Sequence, residues 1–481
     1  MTIRKLTLLV LAFGLFSTLQ AQERWTLQKA IQHAETNNIS IKQAEYAIEA
    51  ARLTEKEARY SRYPSLSGSF SGGWQFGRTI DPTTDAFNNQ TIGFNSYRLD
   101  ANVPLFTGGR IHNSIRQSHT ELEAAKADAE TTFNFIALSL ADAYLQILMA
   151  HERLESAEKR LELSRKQLEQ TEKMIAAGTL AANEALNLQA QVARDEQALI
   201  QARNVLDLSY QTFKNLLELE PGTEIEIARP EIVVPSQPDP DALDFPSLYR
   251  QALNTQPQIR AGELRAQSAD IGVSLAKASF FPSVVLFGSL NTNWSSAAKD
   301  FQNPDFSNAE SVLQDPLPAV INGIPGDIAF FQFEGITYPD LPYLDQLDQN
   351  FGQNFGISIN VPIYSRGTNR INLERAKLNT LNARVSLQQA KQQLRSDVIN
   401  ALTNARAAKR NYEAAQVSLE AAQAAFDNAE KRYRLGAINA YDYLVARNNL
   451  DIAQDEAIAA KYEYVFRLKV LDFYMGRELK F

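Results

Sequence analysis

No cysteine occurs among the 481 residues. Its absence excludes a disulfide scaffold, thiolate zinc sites, a cysteine nucleophile and an acyl anchor on an N-terminal cysteine. Histidine is scarce: His33, His112, His119 and His151 are all there is, each in a stretch of helical pattern. His112 and His119 can share a helix face, but no carboxylate–histidine motif of a metalloenzyme surrounds them. No phosphate-cradling glycine loop or nucleophile elbow is present. An enzyme is not expected, nor a metal or other cofactor. Positive charge is the minority: 48 Lys and Arg face 56 Asp and Glu, leaving a net charge of -8. Nucleic acid is therefore a poor partner. Past the N-terminus no run of roughly 18 uninterrupted apolar residues appears, which excludes a transmembrane helix. A β-barrel, whose strands are half polar, stays open.

The N-terminus reads as an address. Arg4 and Lys5 precede a mostly apolar stretch from Leu6 to Leu19, and Leu19-Gln20-Ala21 has the form of a cleavage site. The pattern predicts a signal peptide over residues 1–21 and export of the remainder.

The rest is written twice. A shift of 218 residues lays Ala34 on Ala252, Ile41 on Ile259, Ala58 on Ala276, and Tyr63-Pro64-Ser65 on Phe281-Pro282-Ser283. A shift of 258 lays Val103-Pro104-Leu105-Phe106 on Val361-Pro362-Ile363-Tyr364 and Gly178 on Gly436. The difference between the shifts places an insertion near Ser296 to Asn350. The expected organisation is a first structural repeat over 22–219, a linker over 220–245 and a second repeat over 246–481. Each repeat reads as an incoming helix (about Glu35 to Arg62 in the first), two strands, a long helix and a return helix. The strands are expected at about 64–78 and 91–106, then at 282–295 and 351–364. The long helices are expected over 110–177 and 367–435, and the return helices over 183–217 and 440–475.

The long helices carry the strongest pattern. Phe133, Leu140, Ile147, Leu154, Leu161, Leu168 and Ile175 recur every seven residues, with Ala143, Ala150, Ala157, Ser164 and Thr171 three residues after five of them. The second half repeats this with Val398, Ala405, Tyr412, Leu419, Phe426 and Tyr433, and with Ala401, Ala408, Ala415, Ala422 and Ala429. The return helices have heptads of their own: Val192, Leu199, Leu206 and Phe213, then Leu450, Ala457, Tyr464 and Leu471. A sustained seven-residue period means helices coiling around neighbours, and alanine permits a close approach. These seams are expected to close only in an oligomer.

The strands alternate with period two. Leu66, Phe70, Trp74 and Phe76 interleave with Ser65, Ser67, Ser69, Ser71 and Gln75. Tyr97, Leu99, Ala101 and Val103 interleave with Arg98, Asp100 and Asn102. Phe355, Ile357, Ile359, Val361 and Ile363 interleave with Asn354, Ser358 and Asn360, while the stretch from Ser283 to Trp294 alternates more weakly. Such strands fit a bilayer-spanning barrel. Four cannot close one, since about eight are needed, and lipid does not tolerate open edges. An obligate homo-oligomer follows. The insertion, 296–350, holds nine acids and one base, Lys299, and reads either as an extracellular loop at the barrel mouth or as a tolerated surface insertion.

These features resemble the TolC-type outer-membrane efflux proteins over essentially the whole mature chain. The specific pieces are Pro104 to Gly109, its duplicate Pro362 to Gly367, and Arg432-Tyr433-Arg434-Leu435-Gly436-Ala437-Ile438 followed by Asp442 and Leu444. The resemblance implies a mixed α and β fold. Four strands per chain would join into a 12-stranded transmembrane barrel as a homotrimer, above a coiled-coil periplasmic tunnel. It implies a passive exit duct in the outer membrane, in contact with its lipid. The partners implied are a periplasmic adaptor and an inner-membrane pump, of the resistance-nodulation-division or ATP-binding cassette type. Cargo, whether drugs, metals or proteins, is chosen by those partners. A non-conducting exported coiled-coil scaffold is the competing reading.

At the tip, Gly178 and Gly436 suit the left-handed C-cap of each long helix. The turns Gly178-Thr179-Leu180 and Gly436-Ala437-Ile438 are the expected adaptor contacts. Glu184 and Asp442 each lie six residues beyond the glycine. Copied around an axis they would ring the entrance with carboxylates and favour cations; each also complements the dipole of the helix it opens. Tyr433, Asn183 and Glu184 match the family's gate residues by position, and a Tyr433–Glu184 hydrogen bond is the expected link. The family's arginine two residues past the glycine is Ile438 here, and an acid three residues beyond Asp442 is Val445.

Overall fold

The computed structural model describes residues 24–80, 87–89, 91–179, 181, 183–230, 232–235 and 238–477. The expected signal peptide and Leu180 lie outside these residues. In chain order the first elements are α1 (Leu27–Asn37), α2 (Ile39–Tyr60), β1 (Ser65–Gln75), β2 (Arg78–Ile80), β3 (Phe87–Asn89), β4 (Ile92–Phe106), α3 (Arg110–Ala176) and α4 (Asn183–Leu216). Then follow α5 (Phe245–Thr255), α6 (Pro257–Ala278), β5 (Ser283–Ser295), β6 (Glu310–Leu313), β7 (Leu317–Ile321), β8 (Ile324–Ile328) and β9 (Phe331–Glu334). Last come α7 (Tyr343–Gln349), β10 (Gly352–Asn360), α8 (Thr368–Arg434) and α9 (Ala440–Tyr474).

The chain divides into two compact units, and neither is one of the two sequence halves. A helical unit takes Met1–Glu55, Arg116–Ile271 and Ala376–Phe481; a strand unit takes Lys56–Ile115 and Gly272–Arg375. Both halves of the chain contribute to each.

In the strand unit one antiparallel sheet has the order β1-β4-β5-β10. Its register explains the alternation. Leu66 pairs with Ala101, Gly68 with Leu99 and Phe70 with Tyr97. Leu99 pairs in turn with Leu290 and Val103 with Leu286, and Leu286 with Ile357 and Val284 with Ile359. Paired residues share a face, so the apolar positions of all four strands fall together. The opposite face carries Ser69 against Arg98 and Ser67 against Asp100. There Arg98 Nε lies 2.9 Å from Asp100 Oδ1. Alternation is weaker in β5 because Phe287 and Val285 point to the polar face. The Phe287 ring is accommodated by Gly356, where a Cβ would approach its Cζ to 2.9 Å. The last strand stops at Asn360 and not at the expected residue 364. Its partner β5 begins at Ser283, and the preceding Pro282 has no N–H to continue the ladder.

The segment 296–350 is not a bare loop. It holds paired β6 and β9, and paired β7 and β8. Asn322 and Gly323, both at positive φ, turn β7 into β8. Its C-terminal end is tied to β5: Gln346 Oε1 accepts from Ser295 N at 2.9 Å, and Asn350 Nδ2 donates to the Asn293 carbonyl at 2.8 Å.

In the helical unit the incoming helix breaks where the sequence suggested one piece. Asn38 Oδ1 accepts from Ser40 N at 2.9 Å, capping α2, while its Nδ2 donates to the Leu216 carbonyl at 2.9 Å. Gln256 marks the same break between α5 and α6, where Pro257 opens the new helix, and its Nε2 donates to the Phe473 carbonyl at 3.1 Å.

Part of each heptad seam closes within this unit of a single chain, whereas Phe133, Leu154, Leu168, Val192, Leu199 and Leu419 are only half-buried there. Leu140, Ile147, Leu206 and Phe213 share one core with Ala30 and Ala34, whereas Val398, Ala405 and Leu471 share another with Leu248 and Ala252. The physical reason is that the short helices, α1 with α4 and α5 with α9, already cover part of the apolar stripes of α3 and α8. Among the described helices, α3 alone contains a stretch apolar enough to cross a membrane, and half of that stretch is buried in the unit. The linker also packs inward: Ile227 is fully buried, and Tyr144 Oη donates to the Ala228 carbonyl at 2.5 Å.

Candidate entrance site

Both long helices end in the same way. Gly178, at φ +71°, donates its N–H to the Ile175 carbonyl at 2.9 Å, and Thr179 N donates to the Met174 carbonyl at 3.0 Å. Gly436, at φ +70°, donates to Tyr433 at 2.9 Å, and Ala437 N donates to Arg432 at 2.9 Å. This paired pattern satisfies carbonyls that the helix end would leave bare, and it needs a left-handed residue in the middle. Asn439 then caps α9 by accepting from Asp442 N at 2.8 Å.

The expected site residues fall into two environments. Gly178, Thr179, Asn183, Gly436, Ala437 and Asp442 are exposed, and Glu184 is half-buried at the start of α4. Tyr433 and Ile438 turn inward. The Tyr433 ring stacks on Tyr443 with centroids 4.9 Å apart, and Ile438 packs with Phe426, Tyr443 and Leu450. Ile438 therefore adds to the apolar core of the tip. The Tyr433 hydroxyl is buried and meets no hydrogen-bond partner among the described residues. The expected link from Tyr433 to Glu184 is thus not made within the chain. Tyr433 contributes its ring, because α8 and α9 close on each other there.

Sequence reasoning missed a charged cluster farther along the same helices. Arg447 on α9 is 2% exposed and Asp195 on α4 is 6% exposed. Arg447 Nη2 donates to the Arg160 carbonyl at 2.7 Å and lies 3.5 Å from Asp195 Oδ2. Asp195 also accepts from the Ser164 hydroxyl on α3, and from Gln191 Nε2 at 2.9 Å. Arg160 forks Asp455 with contacts of 3.0 and 3.1 Å. Asp451 Oδ2 stands 3.8 Å from Arg447 Nε. Burial, opposed by Arg447 and Arg160, pushes the Asp451 carboxyl up to about 6. A signal was available: Asp195 falls three residues after Val192 and Arg447 four after Tyr443, on stripes that face neighbouring helices.

A four-stranded sheet with an apolar face, and paired long helices that turn at Gly178 and Gly436, are features that a subunit of a membrane duct would need. The known proteins agree. A family profile described as outer membrane efflux protein matches residues 30–217 and 346–477, and the chain belongs to that family. It is an outer-membrane protein, and the family is one of efflux ducts, not of enzymes. Among curated relatives, the cation efflux system protein CusC of Escherichia coli is 23% identical over 441 residues, covering 90% of this chain and 82% of CusC. A crystal structure of CusC aligns with a TM-score of 0.73 at 19% identity, covering 96% of this chain and 93% of the other. The outer membrane protein VceC from Vibrio cholerae aligns with a TM-score of 0.71 at 18% identity, covering 95% and 98%.

Proposed function

We propose that three copies of this chain form an outer-membrane channel, the passive exit duct of a tripartite efflux or type I secretion system. The observation that carries this reading is the sheet order. Strands alternate in direction through β1-β4-β5-β10, so β10 of one copy can pair antiparallel with β1 of the next. The edges left open in one chain are then satisfied by repetition, as lipid requires. At 11, 15, 13 and 9 residues, all four strands reach the length of about 9–11 that a tilted strand needs to cross a bilayer. The helical unit serves as the periplasmic tunnel. The turns at Gly178 and Gly436 meet the adaptor, and Glu184 and Asp442 supply carboxylates at the entrance. Energy and choice of cargo come from the inner-membrane pump and the adaptor.

The test is the purified protein in detergent. A mass three times that of the chain, together with ion conductance in planar bilayers, is expected. A water-soluble monomer refutes the reading and favours the scaffold.

A further inference from the structure

Along its seams the helical unit is largely apolar or alanine-lined, and Arg447 with Asp195 is the most deeply buried ion pair among the described residues. The charged groups that meet there come from three helices. Arg160 lies on α3, Asp195 on α4, and Arg447, Asp451 and Asp455 on α9, where Tyr443 also faces Arg447; α8 presents Tyr412, Gln416, Leu419 and Phe426 to the adjoining cavity of about 640 Å³. The other charges lining that cavity are matched among themselves, Lys159 with Glu155 at 2.7 Å and Lys461 with Glu152 at 3.1 Å.

Counting the cluster itself sets Asp195, Asp451 and Asp455 against Arg160 and Arg447. It is neutral only when it holds one extra proton. Asp195 and Asp455 are fixed by hydrogen bonds from Ser164, Gln191 and Arg160. Asp451, 3.8 Å from Arg447, lies beyond hydrogen-bond reach of it and is where the proton goes. The cluster also lies near the tip: Arg447 is only about 10 Å along α9 from its first residue, Ala440, at ~1.5 Å per residue.

We propose that Arg447 is a positioning residue of the entrance, latching α9 and the tip turn it carries to α3 and α4, and that the latch is complete when Asp451 is protonated. The inference rests on the channel reading. The latch takes up a proton that a free carboxyl, near 3.9, would release. Its folded pKa is raised, so the latched state gains as pH falls through about 6 and loses that gain above it.

Single-channel recording of the full-length protein across pH 5 to 8 tests this. For the wild type the closed-to-open ratio is expected to rise about tenfold from pH 8 to pH 5. Asp451→Asn, a fixed neutral side chain, is expected to hold the closed-rich ratio throughout. Asp455→Asn alters a more exposed carboxylate and balances the charge without a proton, so its transition is expected at lower pH. A conducting wild type with no pH response overturns the latch and leaves the channel standing. Either variant keeping the wild-type midpoint also overturns it. A wild type that inserts and never conducts overturns the channel reading, and the latch falls with it.

Discussion

Two glycines with the same backbone conformation should respond very differently to one methyl group. Gly178 has φ +71° and a substituent there would meet nothing within 4 Å among the described residues, whereas Gly108 has φ +62° and its Cβ would lie 2.6 Å from the Ala278 carbonyl oxygen and 2.6 Å from Phe281 Cβ. Both alanine variants incur the left-handed penalty of about 1–2 kcal/mol. Gly108→Ala adds a clash with backbone that cannot rotate away, costing about 1–3 kcal/mol more. The same comparison runs between the repeats: Arg366, the counterpart of Gly108, has φ +54° while carrying a side chain. Arg366→Gly is therefore expected to stabilise by up to about 1 kcal/mol. Urea unfolding in detergent can be followed by fluorescence in a Trp25→Phe background. The remaining tryptophans, Trp74 and Trp294, then report on the strand unit that contains Gly108. Equal midpoints for Gly108→Ala and Gly178→Ala would refute the claim that the close approach near Ala278 decides the cost.

Other substitutions probe the helical unit. Tyr433→Phe removes a buried hydroxyl that has no partner among the described residues and should leave channel closing unchanged while stabilising the fold by about 1 kcal/mol, read from urea midpoints; altered closing would show that the hydroxyl acts on a neighbouring copy. Ile147→Ala, at a fully buried heptad position, should cost about 2–5 kcal/mol on the same assay. Arg406 Nε and Nη2 hold the carbonyls of Pro240 and Leu243 at 3.0 and 2.9 Å, so Arg406→Ala should open the linker to limited proteolysis near those residues.

What the sequence made legible and what it hid have separate physical causes. The strand faces were readable because a period of two assigns every side chain to one side, and Leu66, Leu99, Leu290 and Ile357 do lie on one face. The helical seams were readable for the same reason with a period of seven: Leu140, Ile147, Val398 and Ala405 are buried. Which chain supplies the covering helix was not readable, because a heptad states that a stripe needs a partner and not where that partner comes from. The break at Asn38 was hidden because its cap is local and polar, while the apolar pattern runs on through it. The tip turns were readable, since Gly178 and Gly436 have a backbone requirement that few other residues meet.

The charged cluster was hidden for a different reason. A lone Arg or Asp in a helix is ordinarily a solvated side chain, and Arg447, Asp195 and Arg160 are far apart in the chain. Their burial becomes visible only when three helices converge, and only then does the count of three carboxylates against two guanidiniums acquire meaning. In water, that imbalance is screened and costs little. At 2% exposure for Arg447 and 6% for Asp195 it does not go unanswered, because a buried charge that lacks its counterpart is neutralised by proton uptake more cheaply than it is tolerated. The excess carboxylate therefore makes this part of the tip responsive to pH, alongside groups elsewhere in the unit that burial also shifts, His151 downward and Asp142 upward.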